Sequence, residues 1–270
     1  MALEIDFQGK NVVVVGGTSG INQGIALGFA ELGASVAVAS RRPEKVEATV
    51  ALIEASGARG FGACADVRDF DALSRFFEQA HEALGDFDVL VSGAAGNFPA
   101  MVNGMSSNAF KTVVDIDLNG TFNVTRAGYP YLKKPGASVI NISAPQAFVP
   151  MQAQAHVCAA KAGVDMMTRC LAMEWGGDGI RVNSIVPGPI QGTEGMDRLA
   201  PTDKHRAQVC QSVPLQRMGE KQDVAHCAAF LASGLASYIS GIVIPVDGGW
   251  STAGVGGMSG TLAAIAQMPR

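Results

Sequence analysis

Eight residues near the start of the chain, Val15-Gly16-Gly17-Thr18-Ser19-Gly20-Ile21-Asn22, have the make-up of a phosphate-binding turn. Glycine lets the backbone turn tightly and lets a pyrophosphate come close to the N–H groups that open a helix. Gly16, Thr18, Ser19, Gly20 and Ile21 are the candidate contacts, and Asn22 adds a side chain where a further glycine would leave space. The next apolar run, residues 35–39, ends in Ser40-Arg41-Arg42. Chains that bind NAD place an acid there to accept from the ribose 2′-OH. Ser40 and Arg41 offer a hydroxyl and a positive charge instead, which suit a 2′-phosphate. NADPH is therefore the expected cofactor. Asn97 and Phe98 follow the fourth apolar run, at the edge where parallel sheets bind ligands, and are candidate substrate contacts.

These residues need a scaffold that brings strand ends together. Short apolar, β-branched runs lie at about residues 12–15, 35–39, 60–63, 87–91, 138–142, 181–185 and 242–246. Helical stretches separate them, among them 21–32, 43–55, 70–84, 110–132 and 156–175. Apolar strands without alternation, set between helices, indicate a parallel sheet covered on both faces. The expectation is one doubly wound α/β domain over residues 1–270, with seven parallel strands and about six helices. Residues 189–213 show little apolar periodicity and are expected to form a mobile substrate loop.

Composition removes other classes. The chain has 270 residues, 48% hydrophobic and 16% charged, which excludes a disordered chain. Its 33 glycines have no period of three, so it is not collagen-like. A net charge of -4 gives no global basic field for nucleic acid. The uncharged stretches 11–30 and 248–268 are broken by glycine and polar residues and do not read as membrane spans. Glu4 and Asp6 argue against a signal peptide, and the terminal Met-Pro-Arg does not match a peroxisomal address. Five scattered cysteines without a CxxC pair indicate reduced thiols in the cytoplasm and no metal site. The low charge suggests surface hidden in subunit contacts, as in a homo-oligomer.

The order of motifs resembles the short-chain dehydrogenase/reductase family over nearly the full length. The landmarks are the glycine turn at 16–22, Asp66-Val67, Gly93-Ala94-Ala95-Gly96, Ala159-Ala160-Lys161-Ala162-Gly163, Arg181-Val182-Asn183-Ser184, Pro187-Gly188-Pro189-Ile190 and Asp247-Gly248-Gly249. The resemblance implies a Rossmann-type fold, a dimer or tetramer, and hydride transfer between NAD(P)H and an alcohol or ketone. It adds Asp66, Val67, Ala94, Lys161, Pro187, Gly188 and Ile190 to the expected cofactor contacts.

The family's usual catalytic group is Asn, Ser, Tyr and Lys, with Tyr four residues before Lys. Here Lys161 is kept, but Val157 stands four residues earlier, Ala144 takes the serine place and Asp117 the asparagine place. Val157 cannot protonate an alkoxide, so ordinary ketone reduction is not expected. One branch, the 2,4-dienoyl-CoA reductases of the peroxisomal type, departs in the same way. The chain resembles it at Ala94-Ala95-Gly96-Asn97-Phe98, Asp115-Ile116-Asp117, Gly120-Thr121-Phe122-Asn123-Val124, Gly192-Thr193-Glu194-Gly195 and Pro214-Leu215-Gln216-Arg217. The resemblance implies that Asp117 and Lys161 are catalytic, and that an acyl-CoA substrate goes from 2,4-dienoyl to 3-enoyl. Arg198, Lys204, His205 and Arg206 then either meet coenzyme A phosphates or form a solvated face. Two other readings stay open: a reductase of another carbonyl or conjugated substrate, and a catalytically silent nucleotide-binding member.

Overall fold

Four consecutive valines, Val12 to Val15, are almost fully buried in strand β1 (Asn11–Val15). Val12 and Val14 point into one apolar core with Ile25, Phe29, Ile53 and Leu231. Val13 and Val15 point into a second core with Leu73, Phe76, Phe77 and Val124. Both faces of the strand are thus dry, which is why its sequence carries no polar alternation. Each fully buried side chain of this size contributes about 1.5–3 kcal/mol relative to exposure.

The computed structural model describes residues 5–255. The strands after β1 are β2 (Ser35–Ser40), β3 (Gly60–Cys64), β4 (Val89–Ser92), β5 (Ser138–Ile142), β6 (Arg181–Pro187) and β7 (Val243–Val246). All pair in parallel, in the order β3-β2-β1-β4-β5-β6-β7. The order reverses between β1 and β4, and in such sheets ligands bind in the crevice at that point. Helices α1 (Gly20–Glu31), α2 (Pro43–Ala55) and α3 (Phe70–Leu84) follow the first three strands, and α6 (Ala155–Trp175) follows β5. Helix α9 (Lys221–Ala232) packs against α1. The Arg181 guanidinium donates to the carbonyls of Leu231 (2.6 Å) and Ala232 (3.3 Å), satisfying the C-terminal end of α9.

Two expectations are corrected. The stretch 110–132 is not one helix. It divides into α4 (Ser107–Val114), a π-helical turn at Asp115–Asn119, α5 (Gly120–Gly128) and a 3₁₀ turn at Tyr129–Tyr131. Pro130, which brings no N–H and disfavours helix before it, stands in that last turn. Residues 189–213 are not a loop either. They carry α7 (Glu194–Leu199) and α8 (Asp203–Ser212), each opened by a threonine whose hydroxyl accepts from the backbone three residues on. Helix α8 has no buried residue, so there was no apolar stripe to read. The signal present was the capping pair, Thr193 and Thr202. Lys204, His205 and Arg206 sit exposed on α8. Among the described residues no helix is long and apolar enough to cross a membrane. The tail beyond residue 255 lies outside the described residues.

Candidate active site

The C-terminal ends of β1 to β6 converge on a cleft of about 460 Å³. Its floor begins at the glycine turn. Gly16 has φ +82 and Gly20 φ +56, both left-handed. A Cβ on Gly16 would also stand 2.8 Å from the Ala94 amide nitrogen. The turn and the segment after β4 therefore touch backbone to backbone, across the switch point of the sheet. Ser19 opens α1 without capping it by its side chain, and the first turn carries no acid. The positive end of α1 thus faces the cleft, which suits a pyrophosphate. Asn22 lines the cleft as well. Its Nδ2 donates to the Gly93 carbonyl at 2.6 Å, so the amide is tied toward β4. Gly93 is what makes room, because a Cβ there would overlap the Asn22 amide.

Next along the wall, the Thr18 hydroxyl donates to Ser40 Oγ at 2.8 Å, tying the turn to the end of β2. Ser40, Arg41 and Arg42 line this corner, with Ala65, Asp66 and Val67 from the end of β3 beside them. Arg68 grips Asp66 at 2.6 Å and, with Arg41 adding to it, holds that carboxyl below the usual range.

Asp117 and Lys161 meet at the inner end. Lys161 comes from α6 and Asp117 from the π turn, 44 residues apart in the chain. Lys161 Nζ stands 3.2 Å from Asp117 Oδ2, and their side chains are 6% and 1% exposed. The ammonium also donates to the Ile142 carbonyl at 3.0 Å. Asp117 Oδ1 accepts from the Gly96 amide at 2.7 Å, which anchors the carboxylate to the segment after β4. The pair lines the cleft together with Ser143, Ala144 and Val157. Val157 is 3% exposed and offers no proton. None of the three tyrosines lines the cleft: Tyr129 bonds Asp178, Tyr131 packs on Phe87 and Tyr238 is fully exposed. Behind Lys161, burial pushes the Asp165 carboxyl up, and the Ser184 hydroxyl donates to it at 3.1 Å.

The cleft gathers Gly16, Thr18, Ser19, Gly20, Ile21, Ser40, Arg41, Asp66, Val67, Ala94, Asn97, Asp117, Lys161 and Pro187. Phe98, Gly188 and Ile190 stand outside it. Phe98 packs on His156, with ring centroids 4.5 Å apart. Gly188 is pressed against Asp247, where a Cβ would come within 2.6 Å of its Cα. Ile190 is buried in the first core. Thr193, Glu194 and Gly195, at the start of α7, also line the cleft; the sequence marks them as a segment of likeness and not as candidate contacts. Among the described residues no cluster of His, Cys, Asp and Glu could hold a metal ion.

A family model described as enoyl-(acyl carrier protein) reductase matches residues 15–251. The peroxisomal 2,4-dienoyl-CoA reductase of Rattus norvegicus, described as (3E)-enoyl-CoA-producing, is 44% identical over 248 residues, covering 91% of this chain and 85% of its own. The enzyme of the same name from Arabidopsis thaliana is 41% identical over 252 residues, covering 90% and 84%. A crystal structure of a short chain dehydrogenase from Bacillus anthracis superposes with a TM-score of 0.80 at 37% identity, over 90% of this chain and 96% of that one. With the sheet order, the glycine turn and the lysine of α6 in place, the chain belongs to the short-chain dehydrogenase/reductase family and is an oxidoreductase working with a nicotinamide cofactor.

Proposed function

We propose that the protein uses NADPH to reduce an unsaturated acyl-CoA, taking a 2,4-dienoyl-CoA to a 3-enoyl-CoA. The observation that carries this reading is the buried Asp117–Lys161 pair, 3.2 Å apart, in a cleft with Val157 where the family's phenol would stand. The names of the rat and Arabidopsis relatives support it.

The glycine turn would hold the pyrophosphate, Ser40 and Arg41 the 2′-phosphate, and Lys161 the ribose nearest the reaction. Asp66, Val67, Ala94 and Pro187 would complete the cofactor site. When bound, the cofactor supplies a hydride, which the diene accepts at C5. Charge then spreads through the conjugated system to the thioester oxygen, and a proton is needed at C2. A thioester enolate is a far weaker base than an alkoxide, so no phenol is required at the oxygen. Lys161, held by the Ile142 carbonyl and Asp117, can orient a solvent molecule and pass its proton on, and Asp117 keeps the amino group aimed. Asn97, which lines the cleft, would meet the thioester.

Loss of NADPH absorbance tests the reading directly. It is expected with a dienoyl-CoA and not with a 3-ketoacyl-CoA. Turnover of the ketone alone favours a carbonyl reductase, and turnover of neither favours a silent member. The cofactor reading has its own test. NADPH should bind at least about tenfold tighter than NADH, or about 1.4 kcal/mol. Arg41→Ala should erase most of that gap, and equal affinities in the unaltered protein would sink the claim.

A homo-oligomer, dimer or tetramer, belongs to the same proposal. Phe122 on α5 and Met166 and Met173 on α6 are 52%, 57% and 84% exposed, an apolar display that calls for a partner surface. Light scattering that finds only single chains at micromolar concentration would contradict it. A cytoplasmic place of action is also proposed, on the five free thiols. The rat and Arabidopsis names say peroxisomal, and fractionation of the source cell distinguishes the two.

A further inference from the structure

One charge pairing joins the cofactor corner to the substrate rim. Glu194 opens α7, and its carboxylate lies 2.8 Å from Lys45 Nζ and 3.7 Å from Arg42 on α2 and its lead-in. Glu194 and Arg42 both line the cleft, as do Ser40 and Arg41. Arg42 and Glu194 are more than half exposed, at 55% and 60%, whereas Lys45 is 27% exposed. An acid is absent from the end of β2, yet one is delivered to the same corner from the other side of the cleft, 149 residues beyond Lys45 in the chain.

We infer that Glu194 is a cofactor-discriminating residue: it competes with the 2′-phosphate of NADPH for Lys45 and Arg42, and its displacement frees the start of α7. This rests on the NADPH reading above. A phosphate brings about −1.5 to −2 charges and three acceptor oxygens to these cations, against one charge from Glu194. The phosphate therefore wins the contest, but each binding event must first break the Glu194 pairing. NADH brings no 2′-phosphate and leaves the pairing closed. Glu194 thus lowers the affinity for NADPH selectively. It also links cofactor binding to the segment on the substrate rim, because Thr193, next to it, faces Gly20 across the glycine turn.

The test is the dissociation constant of NADPH and of NADH, measured by calorimetry on the full chain and on Glu194→Gln. Exposed ion pairs are weak, so the expected effect is modest: NADPH tightens about three- to tenfold and NADH stays the same. Lys45→Met should weaken NADPH, and the Glu194→Gln effect should shrink in that background. If Glu194→Gln changes both cofactors equally, leaves both unchanged or weakens NADPH, the inference is overturned. If the unaltered chain binds NADPH and NADH equally, the NADPH reading itself fails, and the two failures are thereby distinct.

Discussion

Asp117→Asn should lower the turnover of a dienoyl-CoA by about 10²- to 10³-fold and leave the dissociation constant for NADPH within about twofold. That loss corresponds to about 3–4 kcal/mol of barrier. Asparagine keeps the shape of the side chain and the acceptor that takes the Gly96 amide at 2.7 Å. What it removes is the negative charge 3.2 Å from Lys161. Either substitution breaks the buried pair, which costs about 3–5 kcal/mol of stability by itself, but the isosteric one keeps the volume of the side chain and its bond to the Gly96 amide, which Asp117→Ala would lose as well. A melting curve taken alongside the kinetics separates the two effects. Lys161→Met should behave differently, losing both turnover and cofactor affinity, since Lys161 is proposed to touch the ribose as well. Were Asp117→Asn to keep full activity from pH 6 to 8, Asp117 would be a tie between segments and the proton would have another source.

Gly93→Ala should weaken NADPH binding by at least about tenfold, and Asn22→Ala in the same chain should restore most of it. The added methyl would overlap the Asn22 amide, so that side chain has to leave its place. Its 2.6 Å bond to the Gly93 carbonyl then breaks, at about 1 kcal/mol for the hydrogen bond alone. The displaced amide swings into the cleft, beside the turn that would cradle the pyrophosphate. Removing it by Asn22→Ala reopens the space while giving up only that bond. Fluorescence titration with NADPH reads both variants. Parental affinity in Gly93→Ala would mean that Asn22 has slack and does not brace the turn.

The strands were legible because both of their faces are dry, which writes Val12 to Val15 and the runs like it as unbroken apolar stretches. The glycine turn was legible because its conformation demands glycine at Gly16 and Gly20. Asp117 and Lys161 came from likeness to a branch of the family, since nothing in their spacing says that 44 residues fold back to bring them within 3.2 Å. The division of 110–132 was hidden because a π turn leaves no compositional mark. Helices α7 and α8 were hidden because exposed helices need no apolar face. Gly188 and Ile190 were assigned to the cofactor by motif alone. Gly188 also packs on Asp247 and Ile190 in the first core, so these letters of the motif serve the packing around the site whatever they contribute to the cofactor.

The π turn at Asp115–Asn119 holds one residue more than ordinary helix would need to cover the same span. Each residue rotates an α-helix by about 100°, so the surplus decides where Asp117 points. Helices α4 and α5 keep their own anchorage on either side of it. The loss of one codon in this stretch can therefore be absorbed locally, by the turn relaxing into plain helix. The sheet would be spared and only the carboxylate would lose its bearing. At this place the fold and the chemistry answer to different letters, and a lineage can gain or surrender the carboxylate's station in one step without rebuilding the protein around it.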